Sequence, residues 1–182
     1  MPQEPPPTTP GPAPRARPRL DVVDAAIVAE LTQDGRLSNV ALARRIGIPE
    51  TTCSGRVRAL RDRGVITGVR AEVNLEALGF AVQAMVAVRL AGQDRERVAA
   101  FGDQVARVPG VLAAYNVSGA EDFVVHLAAE SPSALRDLVL DHIASRPGVN
   151  HVETSFIFST HPGSRGWILS AGDHRPPASA PK

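Results

Sequence analysis

The spacing of the apolar residues changes near residue 80, and this change constrains the fold more than any single motif. Before it, apolar residues recur every three or four positions: Val23, Ile27 and Leu31, then Leu42, Ala43 and Ile46, then Cys53, Val57 and Leu60. That is the stripe of an amphipathic helix. After it, "FAVQAMVAVRL" alternates, which puts Val82, Ala84, Val86, Val88 and Leu90 on one side of an extended segment. A helical unit followed by a sheet-bearing one is the consequence, an α+β chain in two units.

Punctuation inside the first unit gives three short helices. Asp21 can cap the first, and "DGR" at 34–36 ends it, with Gly35 suited to a left-handed terminus. Ser38 can cap the second. Gly47-Ile48-Pro49 makes a tight turn into a third, which Gly64 stops. "VITGVRAEVN" then reads as a strand leading out of the unit.

Past residue 80 the elements alternate. "QDRERVAAFGDQVARV" has Val98, Phe101, Val105 and Val108 at helical spacing. "VLAAYNVS" and "FVVHLAA" are strands joined by the turn "GAED" at 119–122. "SPSALRDLVLDHIASR" is a second helix, capped by Ser131 or Ser133, and "VNHVETSFIFS" a fourth strand. The order β-α-β-β-α-β predicts a ferredoxin-like antiparallel sheet with both helices on one face. Two "PGV" sequences, at 109–111 and 147–149, stand at equivalent helix-to-strand junctions and mark a weak internal repeat.

Charge divides along the same line. Arg36 to Arg70 holds eight arginines against Glu50 and Asp62, a net +6, whereas residues 71–160 carry −5. The basic unit suits a polyanion. In a helix–turn–helix, the later helix enters the major groove and the earlier one crosses the phosphates. With the third helix buried along Cys53–Val57–Leu60, Thr51, Ser54, Gly55 and Arg58 face outward. Thr51, Thr52 and Ser54 are short hydrogen-bonding groups for base edges, with Arg56 and Arg58 beside them. Arg44, Arg45 and Arg61 suit phosphates, which give affinity more than sequence choice. Gly55 costs about 1 kcal/mol relative to alanine inside a helix; a close approach to DNA and ordinary sequence drift explain it equally well. A solvated arginine face or a protein-interaction module is the competing reading of the unit.

These residues resemble the Lrp/AsnC, or feast/famine, family of transcriptional regulators from about Leu20 to Thr160. "LDVVDAAIVAELTQDGRLSNVALARRIGI" is similar to the family's opening and "TTCSGRVRALRDRGVITG" to its recognition helix. The order of parts is also the family's. The resemblance implies a winged-helix-like helix–turn–helix domain over 20–68, a linking strand or hinge over 69–79, and a RAM domain over 80–160. Proline-rich residues 1–19 and residues 161–182 are read as tails, with Trp167, Ile168 and Leu169 the apolar cluster of the second. The resemblance further implies duplex DNA as partner, dimers that assemble further, often into octamers, and a small-molecule effector, usually an amino acid, with no other cofactor.

The family's sensing turn corresponds to "VSGAEDF". Gly119 and Asp122 match it, while Ala120 and Glu121 depart from it. A glycine turn exposes backbone N–H groups and a nearby carboxylate can hold an ammonium, the two needs of a zwitterion. Gly119, Ala120, Asp122 and Thr154, the last from "VETSF", are therefore the expected effector site. The same residues also make an ordinary hairpin turn and strand, and the two readings stand level on residues alone. Further departures are Pro49-Glu50, Gly55 and Val69 in the first unit.

Other functions have less support. The five histidines lack metal-ligand spacing, no phosphate-binding glycine loop occurs, and Cys53 lies on a predicted core face, so no enzyme is expected. The single cysteine, the absence of an apolar run of roughly 18 residues and the lack of a secretory h-region predict a cytoplasmic protein without membrane contact. An amino-acid-binding oligomeric module, or an effector-independent, nucleoid-type DNA-binding protein, is the alternative. A sheet covered on one face leaves Ala81, Met85 and Ala87 exposed on the other, which predicts self-association.

Overall fold

The computed structural model of the protein describes residues 20–92 and 94–161; both predicted tails lie outside them, apart from His161. The chain divides at Ala71/Glu72 into two compact units.

The first unit holds α1 (Val22–Gln33), α2 (Asn39–Ile46) and α3 (Glu50–Asp62). Asp21 caps α1 by accepting from the Asp24 N–H at 2.8 Å, and Ser38 caps α2 by accepting from that of Ala41 at 3.2 Å. Gly47 ends α2 in the left-handed region, at φ 77°. Ile27, Leu42, Ala43, Cys53, Val57 and Leu60 form the buried core, with Val23, Leu31 and Ile46 packed against it. Each fully buried large side chain here contributes about 1.5–3 kcal/mol. Gly35 has a different reason from the expected one. Its φ is not positive; instead, a Cβ there would lie 2.7 Å from Val69 Cγ1. Glycine permits the chain leaving the unit to pack against the α1–α2 turn.

The linking strand expected over 69–79 is absent as a strand. Residues 67–74 carry no ladder, and Glu76–Leu78 forms a single 3₁₀ turn. Strand geometry is held by hydrogen bonds to a neighbour, and no edge within the described chain pairs with this segment.

The second unit runs β1 (Val82–Leu90), α4 (Arg95–Val105), β2 (Val111–Asn116), β3 (Phe123–Ala129), α5 (Pro132–Val139), a π turn (Leu140–Ala144) and β4 (Val149–Phe156). Ser131 is the cap of α5, accepting from Ala134 N–H at 3.2 Å. The sheet order is β2-β3-β1-β4 with every pairing antiparallel. Ala84, Val86 and Val88 of β1 and Phe123, Val125 and Leu127 of β3 meet Phe101 and Val105 of α4 and Leu135, Val139 and Ile143 of α5 in one core. Both helices therefore cover the same sheet face, as expected. The two "PGV" junctions are also equivalent in backbone: Gly110 and Gly148 share φ 89°.

Among the described residues, nothing covers the opposite sheet face. Met85 lies opposite His126 on one side and Ser155 on the other, and Tyr115 lies opposite Val124. Met85 and Ala81 are exposed and Ala87 is half-buried. The side chain of His126 donates from Nε2 to Gln83 Oε1 at 3.0 Å, and burial pushes its pKa below the ordinary histidine value.

Candidate nucleic-acid interface and ligand-binding turn

The core seam of α3 fixes which of its residues reach solvent. With Cys53, Val57 and Leu60 inward, Thr51, Thr52, Ser54, Gly55, Arg58 and Arg61 are all exposed. The helix thus presents hydroxyls in its first turn and guanidinium groups in its last two. Among the described residues, Arg58 reaches only Asp62, one turn on, at 3.9 Å. Arg44 and Arg61 are exposed and have no carboxylate partner among the described residues. Arg45 is held by Glu30 of α1 at 2.9 Å, with its side chain half exposed. Cations in the final turn of α2 also lie at the favourable end of its dipole.

Arg56 is used differently. Its Nη1 donates to Asp21 Oδ2 at 2.5 Å and Asp24 Oδ1 at 2.8 Å. Arg63 donates to the second oxygen of Asp24 at 3.3 Å. Asp24 is buried, so its charge requires these cations. The hydrogen bonds to Asp21 and Asp24 raise the Arg56 pKa further above its usual value; the Asp24 backbone N–H, followed by Arg56, lowers that of Asp21. Arg56, expected beside the base-facing residues, instead ties α3 to the start of α1, with its side chain 34% exposed. Cys53 is fully buried and burial, with Glu50 second, raises its thiol pKa, which leaves little thiolate.

In the second unit, the turn between β2 and β3 is strapped to β1. Asp122 N–H donates to Val88 O at 2.9 Å, and Leu90 N–H donates to Asp122 Oδ2 at 2.7 Å. The carbonyl of Asp122 accepts from Val117 N–H at 3.0 Å and from Asn116 Nδ2 at 2.9 Å. Asp122 is thus a structural clamp with one carboxylate oxygen already taken by the backbone. Gly119 has φ 135°, a conformation that side-chain-bearing residues rarely adopt. The N–H groups of Gly119 and Ala120 take no part in the turn's hydrogen bonds.

Two residues outside the expected set also belong to this turn. Arg89 of β1 donates through Nε to Ala120 O at 3.0 Å and through Nη2 to Glu121 Oε1 at 2.8 Å. The other oxygen, Glu121 Oε2, is buried and has no hydrogen-bond partner among the described residues. An unpaired buried carboxylate oxygen is costly in a finished fold, which makes it a natural receiver for an outside donor. In the sequence Glu121 stands out only as a departure from the family pattern. Arg89 offers no local signal, because 32 residues separate it from its partner.

Thr154 is not brought to this turn within one chain. It lies opposite Val86, on β4, and lines an open groove of about 430 Å³ against α5 with Leu135, Val139, Val152 and Phe156. Among the described residues, no group of three or more histidine, cysteine or acidic side chains could hold a metal. No helix among them is long and apolar enough to cross a membrane.

Comparison with known proteins agrees with both units. Residues 20–67 match the winged helix-turn-helix DNA-binding family, and residues 83–166 the Lrp/AsnC ligand binding domain. The HTH-type transcriptional regulator AldR of Mycobacterium tuberculosis is 39% identical over 139 residues, which cover 76% of this chain and 78% of that protein. A feast or famine regulatory protein of M. tuberculosis, solved with L-methionine, superposes with TM-score 0.73 at 31% identity, over 81% of this chain and 97% of the other. A Neisseria meningitidis transcriptional regulator in complex with L-methionine gives TM-score 0.74 at 26% identity, over 81% and 96%.

Proposed function

The chain belongs to the Lrp/AsnC family, as a DNA-binding transcriptional regulator with a ligand-binding domain and not an enzyme, and on that premise we propose which residues read DNA and which hold the ligand. α3 enters the major groove. Thr51, Thr52, Ser54 and Arg58 meet base edges, and Arg44, Arg45 and Arg61 meet phosphates. Arg56 is left out because its guanidinium already neutralises Asp21 and Asp24.

The ligand is a zwitterionic amino acid, the class to which the L-methionine of the two solved relatives belongs. Its carboxylate accepts from the N–H groups of Gly119 and Ala120. Its ammonium donates to Glu121 Oε2, while Asp122 and Arg89 hold the turn in shape. The observation that supports this reading is the juxtaposition of free N–H donors with a buried, unpartnered carboxylate oxygen on one turn. Thr154, on the far side of β1 and against α5, joins such a site only from a second subunit. The open sheet face supports a homodimer, with octamers or other higher assemblies built from it, acting in the cytoplasm where it meets duplex DNA. Ligand binding changes DNA affinity to the extent that it favours one assembly over another.

A thermal-shift screen of the amino acids tests the ligand, because a molecule that binds only the folded state raises the melting temperature. Glu121→Gln should abolish the shift. A hit that survives both Glu121→Gln and Gly119→Val means that the site lies elsewhere. For DNA, replacing Arg44 or Arg61 by alanine should lower the slope of log affinity against log salt by about one unit each. An unchanged slope in the double variant removes these residues from the interface.

A further inference from the structure

Gly55 sits in the middle of α3, where glycine is the poorest helix former after proline. Nothing among the described residues accounts for it. Its φ is not in the left-handed region, and a Cβ placed on it would meet nothing within 4 Å. The contrast with other glycines is direct: Gly35 makes room for Val69, and Gly110 combines φ 89° with Leu138 Cδ1 2.6 Å from where a Cβ would stand. At those two positions a Cβ would clash with a neighbour, whereas the fold would be served better by alanine at 55.

The surroundings of Gly55 indicate what lies over it. Thr51 and Thr52 are four and three residues before it and Arg58 three after, so all three adjoin it on the helix surface. All are exposed. The result is a strip of bare backbone framed by short hydroxyl side chains and one guanidinium, on the helix that the DNA-reading domain directs into the groove.

We infer that Gly55 is a specificity-determining residue for DNA, the point where the α3 backbone comes closest to the duplex and where a base edge or thymine methyl occupies the space a side chain would fill. The inference rests on the assignment of α3 as the reading helix. Its physical content is that the closeness of the helix, not a side chain at 55, lets Thr51, Thr52 and Arg58 reach the bases. A methyl group at 55 would hold the helix outward and lengthen all three sets of contacts together.

The test uses the full chain and a duplex selected by it from a random pool. Gly55→Ala should raise the melting temperature by several degrees, as expected for glycine to alanine in an exposed helix. Its affinity for the selected duplex should fall about tenfold, with much less change on an unselected duplex of equal length. A selection repeated with Gly55→Ala should return a different or weaker consensus. The inference is overturned if the variant keeps both affinity and consensus, or if it melts lower than the wild type, since glycine is then needed by the fold. The underlying assignment fails separately: Arg58→Ala and Thr51→Ala would then leave the consensus unchanged whatever Gly55→Ala does.

Discussion

At the residue scale, similar side chains in one helix have different tasks because of what packs behind them. Arg56 and Arg58 are two positions apart, about 200° around α3. One closes on Asp21 and the buried Asp24; the other extends into solvent. Arg56→Ala should therefore lower the melting temperature more than Arg58→Ala and leave the salt dependence of DNA binding unchanged. Arg58→Ala should leave the melting temperature nearly unchanged and weaken binding to the preferred duplex by about 1–3 kcal/mol, as expected for the loss of a base contact. Calorimetry and a salt titration of each variant check both outcomes. His126 makes a second prediction. Burial lowers its folded pKa below the unfolded value near 6.5. The folded state thus prefers the neutral ring, and the associated stability is complete above about pH 6.5 and is lost as pH falls through the lower folded value. Urea melts from pH 8 to pH 5 should show this decline, and His126→Gln should flatten it.

At the element scale, the junctions into β2 and β4 follow one sequence rule with unequal packing. Gly110 and Gly148 share φ 89°, but only Gly110 faces Leu138 and the carbonyl of Ala128, 2.6 and 3.0 Å from where a Cβ would stand. Gly148→Ala should cost about 1–2 kcal/mol for the left-handed conformation alone. Gly110→Ala should cost about 1–3 kcal/mol more, because the side chain also overpacks the α5 contact. Chemical denaturation of the two variants gives the difference directly. Much of this element structure is legible in the sequence. Asp21, Ser38 and Ser131 act as caps where local spacing places them, and both helical seams and the β1 alternation match the periodicity. The segment 67–74 is not legible in the same way. Its alternation suits a strand, but a strand exists only where another edge accepts its hydrogen bonds.

At the scale of the whole molecule, the sheet unit is covered on one face only among the described residues. α4 and α5 bury one face, and the other presents Met85, Val124, His126 and Tyr115 around the centre of the sheet. A second copy meeting this face around a two-fold axis would bury it symmetrically. Met85→Glu should then shift sedimentation toward the monomer at micromolar concentration while leaving the fold of each chain intact, since Met85 lies outside the core. It should also weaken binding to a duplex with two half-sites by more than binding to one half-site. An unchanged sedimentation profile would move the interface to another surface.

The sequence by itself determined what depends on neighbours within a few residues. Helix period, strand alternation, caps and left-handed glycines are all local, and they carry the two-unit architecture and the outward face of α3. The tertiary structure alone decided which charges are spent inside the protein. Arg56 meets Asp21 across 35 residues, and Arg89 meets Glu121 across 32. Those pairings depend on how separate elements dock, and no periodicity records them. The same holds for Gly35, where a Cβ would meet Val69, and for Asp122, which is fixed by Leu90 N–H beside the unpartnered oxygen of Glu121. A charge in sequence is only a capacity to bind; packing determines whether a partner within the chain has already taken it.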